Sequence, residues 1–217
     1  MREAVVEKIV QDKIVAIVRG VYGEAGLRLA DALHQGGVQL IEFTFDQARP
    51  ETFADTQRCI REVNARFGGE MLAGAGTVTS VRLAELAHDA GAHYIISPNR
   101  DLAVIRRTRE LGMVSMPGAL TPSEALEAYD AGADFVKLFP VSVLGASYVK
   151  AVCAPLNHIR FLAVGGVDAS NVRALMQAGC VGAGVGGKLV SKESIAAGRY
   201  DEITAQARAL IAAARGA

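Results

Sequence analysis

A repeated switch between two hydrophobic periods constrains this chain more than any other feature. Short apolar runs rich in β-branched residues recur at 14–18, 38–43, 71–75, 93–97, 113–116, 135–139, 159–164 and 181–185. They are mostly continuous and not alternating, the pattern of strands buried on both faces of a parallel sheet. Between them lie stretches such as Val81, Leu83, Ala84, Leu86, Ala87 and Ala90, apolar at helical spacing. Several of these stretches stop at one kind of punctuation: Gly36-Gly37, Ala90-Gly91, Ala131-Gly132 and Ala178-Gly179. Glycine there allows the left-handed turn that ends a helix before the next strand. Thr121, followed by Pro122, Ser123 and Glu124, reads as a helix start.

Eight strands alternating with helices predict an α/β fold, a single (β/α)8 TIM barrel. The expected organisation is one domain over residues 1–217, with a short helix ahead of the first run. An open doubly wound sheet is the rival. Arg19-Gly20-Val21-Tyr22-Gly23 lacks the third glycine of a dinucleotide fingerprint, so the barrel is preferred. Composition enters by exclusion. Lys plus Arg and Asp plus Glu balance at 23 each, which leaves no basic field for nucleic acid. No apolar run approaches the ~20 residues that span a bilayer. The first residues mix Arg2, Glu3, Glu7 and Lys8 with apolar ones, unlike a signal peptide, so a cytoplasmic protein is expected. Cys59, Cys153 and Cys180 form no C-x-x-C pair, and the four histidines show no i,i+4 pattern, so neither a disulfide framework nor a metal is expected.

Charged residues within the apolar runs carry the chemical information, because barrel enzymes work at the C-terminal ends of their strands. Lys137 sits in Phe135-Val136-Lys137-Leu138-Phe139-Pro140, sharing one face with Phe135 and Phe139. Desolvation lowers a lysine pKa, and the neutral amine is a nucleophile toward carbonyls. Glu42 lies in the second run on the face it shares with Thr44 and Asp46. Two readings of this couple stand: a structural ion pair, or an imine-forming lysine with a carboxylate that moves protons. Glycine-rich segments follow the last two runs, Gly165-Gly166 and Gly186-Gly187-Lys188. Those positions are the usual phosphate cradle of these barrels. Gly74-Ala75-Gly76-Thr77 leaves the third run with a hydroxyl and open amides, suited to a carboxylate or to a turn with a helix cap at Thr77 or Thr79. Arg19 follows the first run, facing the site or the rim. Arg106, Arg107 and Arg109 read as a solvated helix face.

From about Ile14 through Val190 the chain resembles the class I aldolases that cleave 2-keto-3-deoxy-6-phosphogluconate and 4-hydroxy-2-oxoglutarate. The resemblance is carried by Ile41-Glu42-Phe43-Thr44, Gly74-Ala75-Gly76-Thr77, Ile96-Ser97-Pro98, Pro117-Gly118, Val136-Lys137-Leu138-Phe139-Pro140 and Gly165-Gly166-Val167. It implies Lys137 as the Schiff-base lysine and Glu42 as the general acid/base. It further implies Thr77 on the pyruvate carboxylate, Phe139 against the pyruvyl carbons, and the paired glycines around a phosphate, with Arg19 and Lys188 as further substrate contacts. A keto-acid substrate, phosphorylated in one of the two reactions, no cofactor and a homotrimer follow from the same resemblance. Three positions depart from it. Asp46 stands where many relatives have an arginine that holds the substrate carboxylate, which reverses the local charge; Arg19 is one replacement, and a substrate hydroxyl is one partner for Asp46. Val164 replaces a Thr or Ser, and Lys188 replaces a Ser. The alternatives are an aldolase for another 2-keto-3-deoxy sugar acid, a sugar-phosphate isomerase or epimerase, and a non-catalytic sensor of phosphorylated ligands.

Overall fold

Parallel strands buried on both faces need helices outside and a filled lumen inside, and the chain supplies both. The computed structural model describes residues 2–216; Met1 and Ala217, the ends of the expected domain, lie outside the described residues. The strands are β1 (Ile14–Val18), β2 (Leu40–Thr44), β3 (Leu72–Gly76), β4 (Tyr94–Ile96), β5 (Val114–Met116), β6 (Gly118–Ala119), β7 (Val136–Leu138), β8 (Phe161–Val164) and β9 (Cys180–Val185). The helices are α1 (Arg2–Asp12), α2 (Gly23–Gln35), α3 (Phe53–Phe67), α4 (Val81–Asp89), α5 (Leu102–Glu110), α6 (Pro122–Asp130), α7 (Val141–Cys153), α8 (Val172–Gln177), α9 (Lys192–Ala196) and α10 (Tyr200–Arg215). All eight apolar runs of the sequence are strands.

The ladder order is β5-β4-β3-β2-β1-β9-β8-β7-β6, with every pairing parallel. The ninth strand, unforeseen in the sequence, is the far half of one stave broken at Pro117, which has no N–H for the ladder. The near half pairs with β4 and the far half with β7, and the Phe135 N–H donates to Ser115 O at 3.3 Å across the seam. The (β/α)8 barrel is thereby nearly closed.

Alternation along the strands divides the apolar residues into two sets. Ile41, Phe43, Ala73, Ala75, Val136 and Leu138 face the helices. Val15, Leu40, Leu72, Tyr94, Val114, Met116, Phe135 and Leu162 fill the lumen together with Val5 and Ile9 of α1. Helix α1 thus plugs the N-terminal end of the barrel. Arg2 of α1 and Arg109 of α5 both pair with Asp134, whose carboxylate also accepts the Ser115 N–H at 3.0 Å. Arg109 therefore leaves the solvated arginine face that its neighbours suggest, whereas Arg107 stays on the surface between Glu85 and Glu110. The glycine punctuation is as read: Gly37, Gly91, Gly132 and Gly179 all have positive φ just beyond helix ends. Thr121 and Glu124 form a reciprocal capping box on α6. Among the described residues no helix is long and apolar enough to cross a membrane.

Candidate active site

With the N-terminal end plugged, the lumen opens at the C-terminal ends of the strands. A cavity of about 520 Å³ lies there. It is lined by all ten residues singled out in the sequence: Arg19, Glu42, Thr77, Lys137, Phe139, Gly165, Gly166, Gly186, Gly187 and Lys188. Ile17, Pro98, Val164, Ser191 and Lys192 complete much of the wall. Of these, Lys192 carries charge that the sequence reading missed; its place four residues after Lys188 of the second glycine segment is the signal that was available.

Glu42 and Lys137 project into the lumen from β2 and β7, and both are buried, at 2% and 8% exposure. Burial pushes the Glu42 carboxyl up to about 7, against the opposing pull of Lys137 and Arg19. Burial likewise lowers the Lys137 amine, with Glu42 resisting and Arg19 assisting. No nitrogen–oxygen contact within 4.0 Å joins them among the described residues, and Glu42 Oε2 has no hydrogen-bond partner. The ion-pair reading of the couple therefore falls. Burial pushes each group toward its neutral form, and the Lys137 Nζ lies 4.7 Å from the centroid of the Phe139 ring.

The Gly-Ala-Gly segment has a steric reason that its sequence did not disclose. Gly74 and Gly76 belong to β3 itself, on the lumen face. A Cβ on Gly74 would stand 2.1 Å from the Tyr94 ring, and one on Gly76 would stand 1.5 Å from Glu42 Oε1. Strand β3 is thus bared so that a buried tyrosine and the buried carboxylate can occupy the lumen. Tyr94 is fixed by its hydroxyl, which donates to Ile41 O at 2.7 Å. At the end of the strand Thr77 has φ +55°, an uncommon and strained value for a β-branched residue. Its carbonyl accepts from Gln47 Nε2 at 2.9 Å. The helix cap is neither Thr77 nor Thr79 but Ser80, whose hydroxyl accepts from Leu83 N.

The two glycine pairs differ. Gly165 and Gly166 have φ +100° and +71° and press against Pro140 and Ser142. Gly187 has no atom within 4 Å of a Cβ position, so a side chain there would intrude on the cavity and not on the fold. Val164, on the lumen face of β8, presents methyl groups to the cavity. Asp46 lies outside the lining; its carboxylate pairs with Arg49 at 2.7 Å and accepts the Ala48 N–H at 3.1 Å. The sequence expectation of reversed charge at this point is corrected, because the Arg49 guanidinium offsets the carboxylate and holds it below its ordinary range.

A parallel barrel with a buried amine and a buried carboxylate at its C-terminal mouth has the layout of a barrel lyase. The comparisons with known proteins narrow that class. The family model of KDPG and KHG aldolase matches residues 5–206, and the chain belongs to this aldolase family. The 2-dehydro-3-deoxy-6-phosphogalactonate aldolase of Escherichia coli K12 is 35% identical over 194 residues, 89% of each chain. The KHG/KDPG aldolase of the same organism is 32% identical, over 88% of this chain and 87% of that one. Among solved structures, one described as native KDPGal superposes with a TM-score of 0.83 at 32% identity, covering 94% of both chains.

Proposed function

We propose that this protein is a class I aldolase that cleaves a 2-keto-3-deoxy-6-phospho sugar acid to pyruvate and glyceraldehyde 3-phosphate. The observation that carries the reading is a buried amine and a buried carboxylate in one cavity, each pushed toward its neutral form and not paired with the other. Neutral Lys137 attacks the C2 ketone; the protonated Glu42 carboxyl gives its proton to the carbinolamine hydroxyl, which departs as water and leaves a protonated imine and the Glu42 carboxylate. Glu42, as carboxylate, takes the proton of the C4 hydroxyl. The C3–C4 bond breaks, its electrons pass into the imine to give an enamine, and the aldehyde departs. Protonation at C3 and attack of water on the imine carbon release pyruvate and restore the amine. A carboxyl with a pKa of about 7 gives and takes protons equally well at neutral pH. Thr77 holds the pyruvyl carboxylate, Phe139 covers the pyruvyl carbons, and the glycines with Arg19 and Lys188 receive the distal end.

Within this class a second reading has its own support. The phosphogalactonate aldolases of E. coli and Rhizobium meliloti are 35% and 37% identical to this chain, and the phosphogluconate aldolase of Treponema pallidum is 31% identical. The two substrates differ in configuration at C4, the carbon that becomes the aldehyde. We assign the galactonate epimer as the preferred substrate. The whole chain acts as one barrel domain. A homotrimer accords with exposed Leu126, Tyr129, Val143 and Leu144 on α6 and α7.

The test is incubation with pyruvate and borohydride followed by intact mass and peptide mapping. One reduced pyruvyl adduct on Lys137, absent in Lys137→Met together with all turnover, is the expected result. No adduct on the folded wild-type protein, or a Lys137→Met enzyme that still cleaves, refutes the imine.

A further inference from the structure

The loop after β2 carries a cation to the lip of the cavity. Arg49 is held there by three contacts to Asp46. Its Nε and Nη2 contact Asp46 Oδ2 at 2.8 and 2.7 Å, and its own N–H donates to Asp46 O at 2.9 Å. The Asp46 carboxylate is anchored in turn by the Ala48 N–H, and the loop is tied to the end of β3 by Gln47. The arginine thus has a set direction although its side chain is 55% exposed. That direction is across Gly20, which follows Arg19 at the end of β1. Arg49 Nη2 and Lys192 Nζ lie 3.5 and 3.7 Å from the single point that a Cβ on Gly20 would occupy. Gly20 has φ +67°, and a side chain there would block the approach of the two cations. Lys192 belongs to the cavity wall, next to Ser191 and Lys188. Among the described residues Lys188, Lys192 and Arg19 have no acidic side chain within 4.0 Å.

Like charges gathered at one rim repel unless an anion joins them, and the strands set which end of a substrate comes here. Strand β1 stands between β2 and β9, so Gly20 adjoins the Gly186-Gly187 segment and is separated from Thr77 by β2. We propose that Arg49, oriented by Asp46, and Lys192 form an anion clamp across Gly20 that closes on the outward oxygens of the substrate's phosphate group. The glycine segments meet the phosphate from the barrel side, and the clamp meets it from the lip. Asp46 is a positioning residue; Arg49 and Lys192 set specificity for a phosphorylated over an unphosphorylated sugar acid. A phosphomonoester brings close to two negative charges at neutral pH, which suits two cationic donors, Arg49 at the lip and Lys192 in the adjoining wall. The clamp rests on the aldolase reading for its substrate, but its affinity for phosphate is separable from turnover.

Two measurements test it on the full-length protein. The first is kcat/KM for the phosphorylated sugar acid and for its unphosphorylated counterpart, in wild type, Arg49→Gln, Lys192→Gln and Asp46→Ala. The ratio of the two is expected to fall about tenfold in each of the first two variants, through KM and not kcat, the size of a charged hydrogen bond weakened by solvent. Asp46→Ala is expected to reproduce the Arg49→Gln loss in KM, because the arginine loses its direction. The second is calorimetric titration with inorganic phosphate, which needs no turnover. Its Kd is expected to rise about tenfold in Arg49→Gln and in Lys192→Gln. A ratio and a phosphate Kd within twofold of wild type overturn the clamp. A wild-type protein that binds phosphate through these residues yet cleaves neither sugar acid keeps the clamp and removes the aldolase reading.

Discussion

Adding one methyl group at Gly76 separates the catalytic role of Glu42 from its contribution to the fold. In Gly76→Ala the new Cβ would lie 1.5 Å from Glu42 Oε1 and 2.3 Å from its carboxyl carbon. Ordinary contact needs about 3.5 Å, so the carboxylate must swing away by roughly 2 Å. Cγ of the same side chain lies at 2.7 Å, so Glu42 turns as a whole toward the open cavity, at less cost in stability than moving a ring fixed at both ends. Catalysis does not tolerate it, since a misplacement of about 1 Å already costs on the order of 100-fold. Gly76→Ala is therefore expected to lose at least about 100-fold in kcat, with a Tm within about 3 °C of wild type. Gly74→Ala, two residues back on the same face, is expected to do the reverse. Its Cβ would lie 2.1 Å from the ring of Tyr94, which is fully buried and held by its hydroxyl, so nothing there can give. Overpacking of that kind costs about 1–3 kcal/mol, a fall in Tm of roughly 3–10 °C at this chain length. Steady-state cleavage rates and calorimetric melting of the two variants decide the matter. A Gly76→Ala enzyme with kcat within twofold of wild type would refute the placement of the working carboxylate beside β3.

The pH dependence follows from the direction in which burial moves Glu42. An unfolded chain ionises this carboxyl near 4.5 and the folded one near 7, so the folded state alone holds the proton between those values, and stability falls as pH rises through that window. The fall amounts to about 3 kcal/mol as an upper bound, and Glu42→Gln is expected to remove it in denaturant titrations at pH 4.5 and pH 8 while sharply lowering cleavage. An equal slope in the variant would mean the carboxyl is not perturbed. At the other end of the barrel, Asp134→Asn weakens the tie between α1 and α5 and is expected to cost about 1–3 kcal/mol in chemical denaturation with kcat near wild type. A variant of unchanged stability would show that the packing of Val5 and Ile9 and the Lys8 contact with Gln39 are enough to hold the N-terminal plug.

The eightfold switch of period specified the barrel and the end at which to look, and period-two alternation grouped Glu42 with Thr44 and Lys137 with Phe135 and Phe139, although it does not say which face of a strand turns to the lumen. The place of the glycine pairs at the mouth was legible as well, because both follow the last two strands, the end at which such a barrel opens. Alternation fixes a face, however, and not the height or the neighbour at which a side chain arrives. Whether Glu42 meets Lys137 as an ion pair depends on the register of strands between them, and tertiary structure keeps them apart. Gly74 and Gly76 read as open amides for a carboxylate or as a turn, and not as room for other side chains, because the ring of Tyr94 and the carboxylate of Glu42, which need their space, come from other strands. Asp46 read as a reversed charge because its partner Arg49 lies beyond the strand, in a loop whose path no periodicity describes. The break at Pro117, which makes nine strands of eight staves, belongs to the same class: the missing N–H is local, but the seam it opens exists only once the barrel closes. The sequence by itself determined the fold and the chemical identities at its mouth, because both follow from local period and residue type. Tertiary structure alone decided which charges are paired, which are left bare and what space the ligand has, because those depend on distances across the lumen between residues remote in the chain.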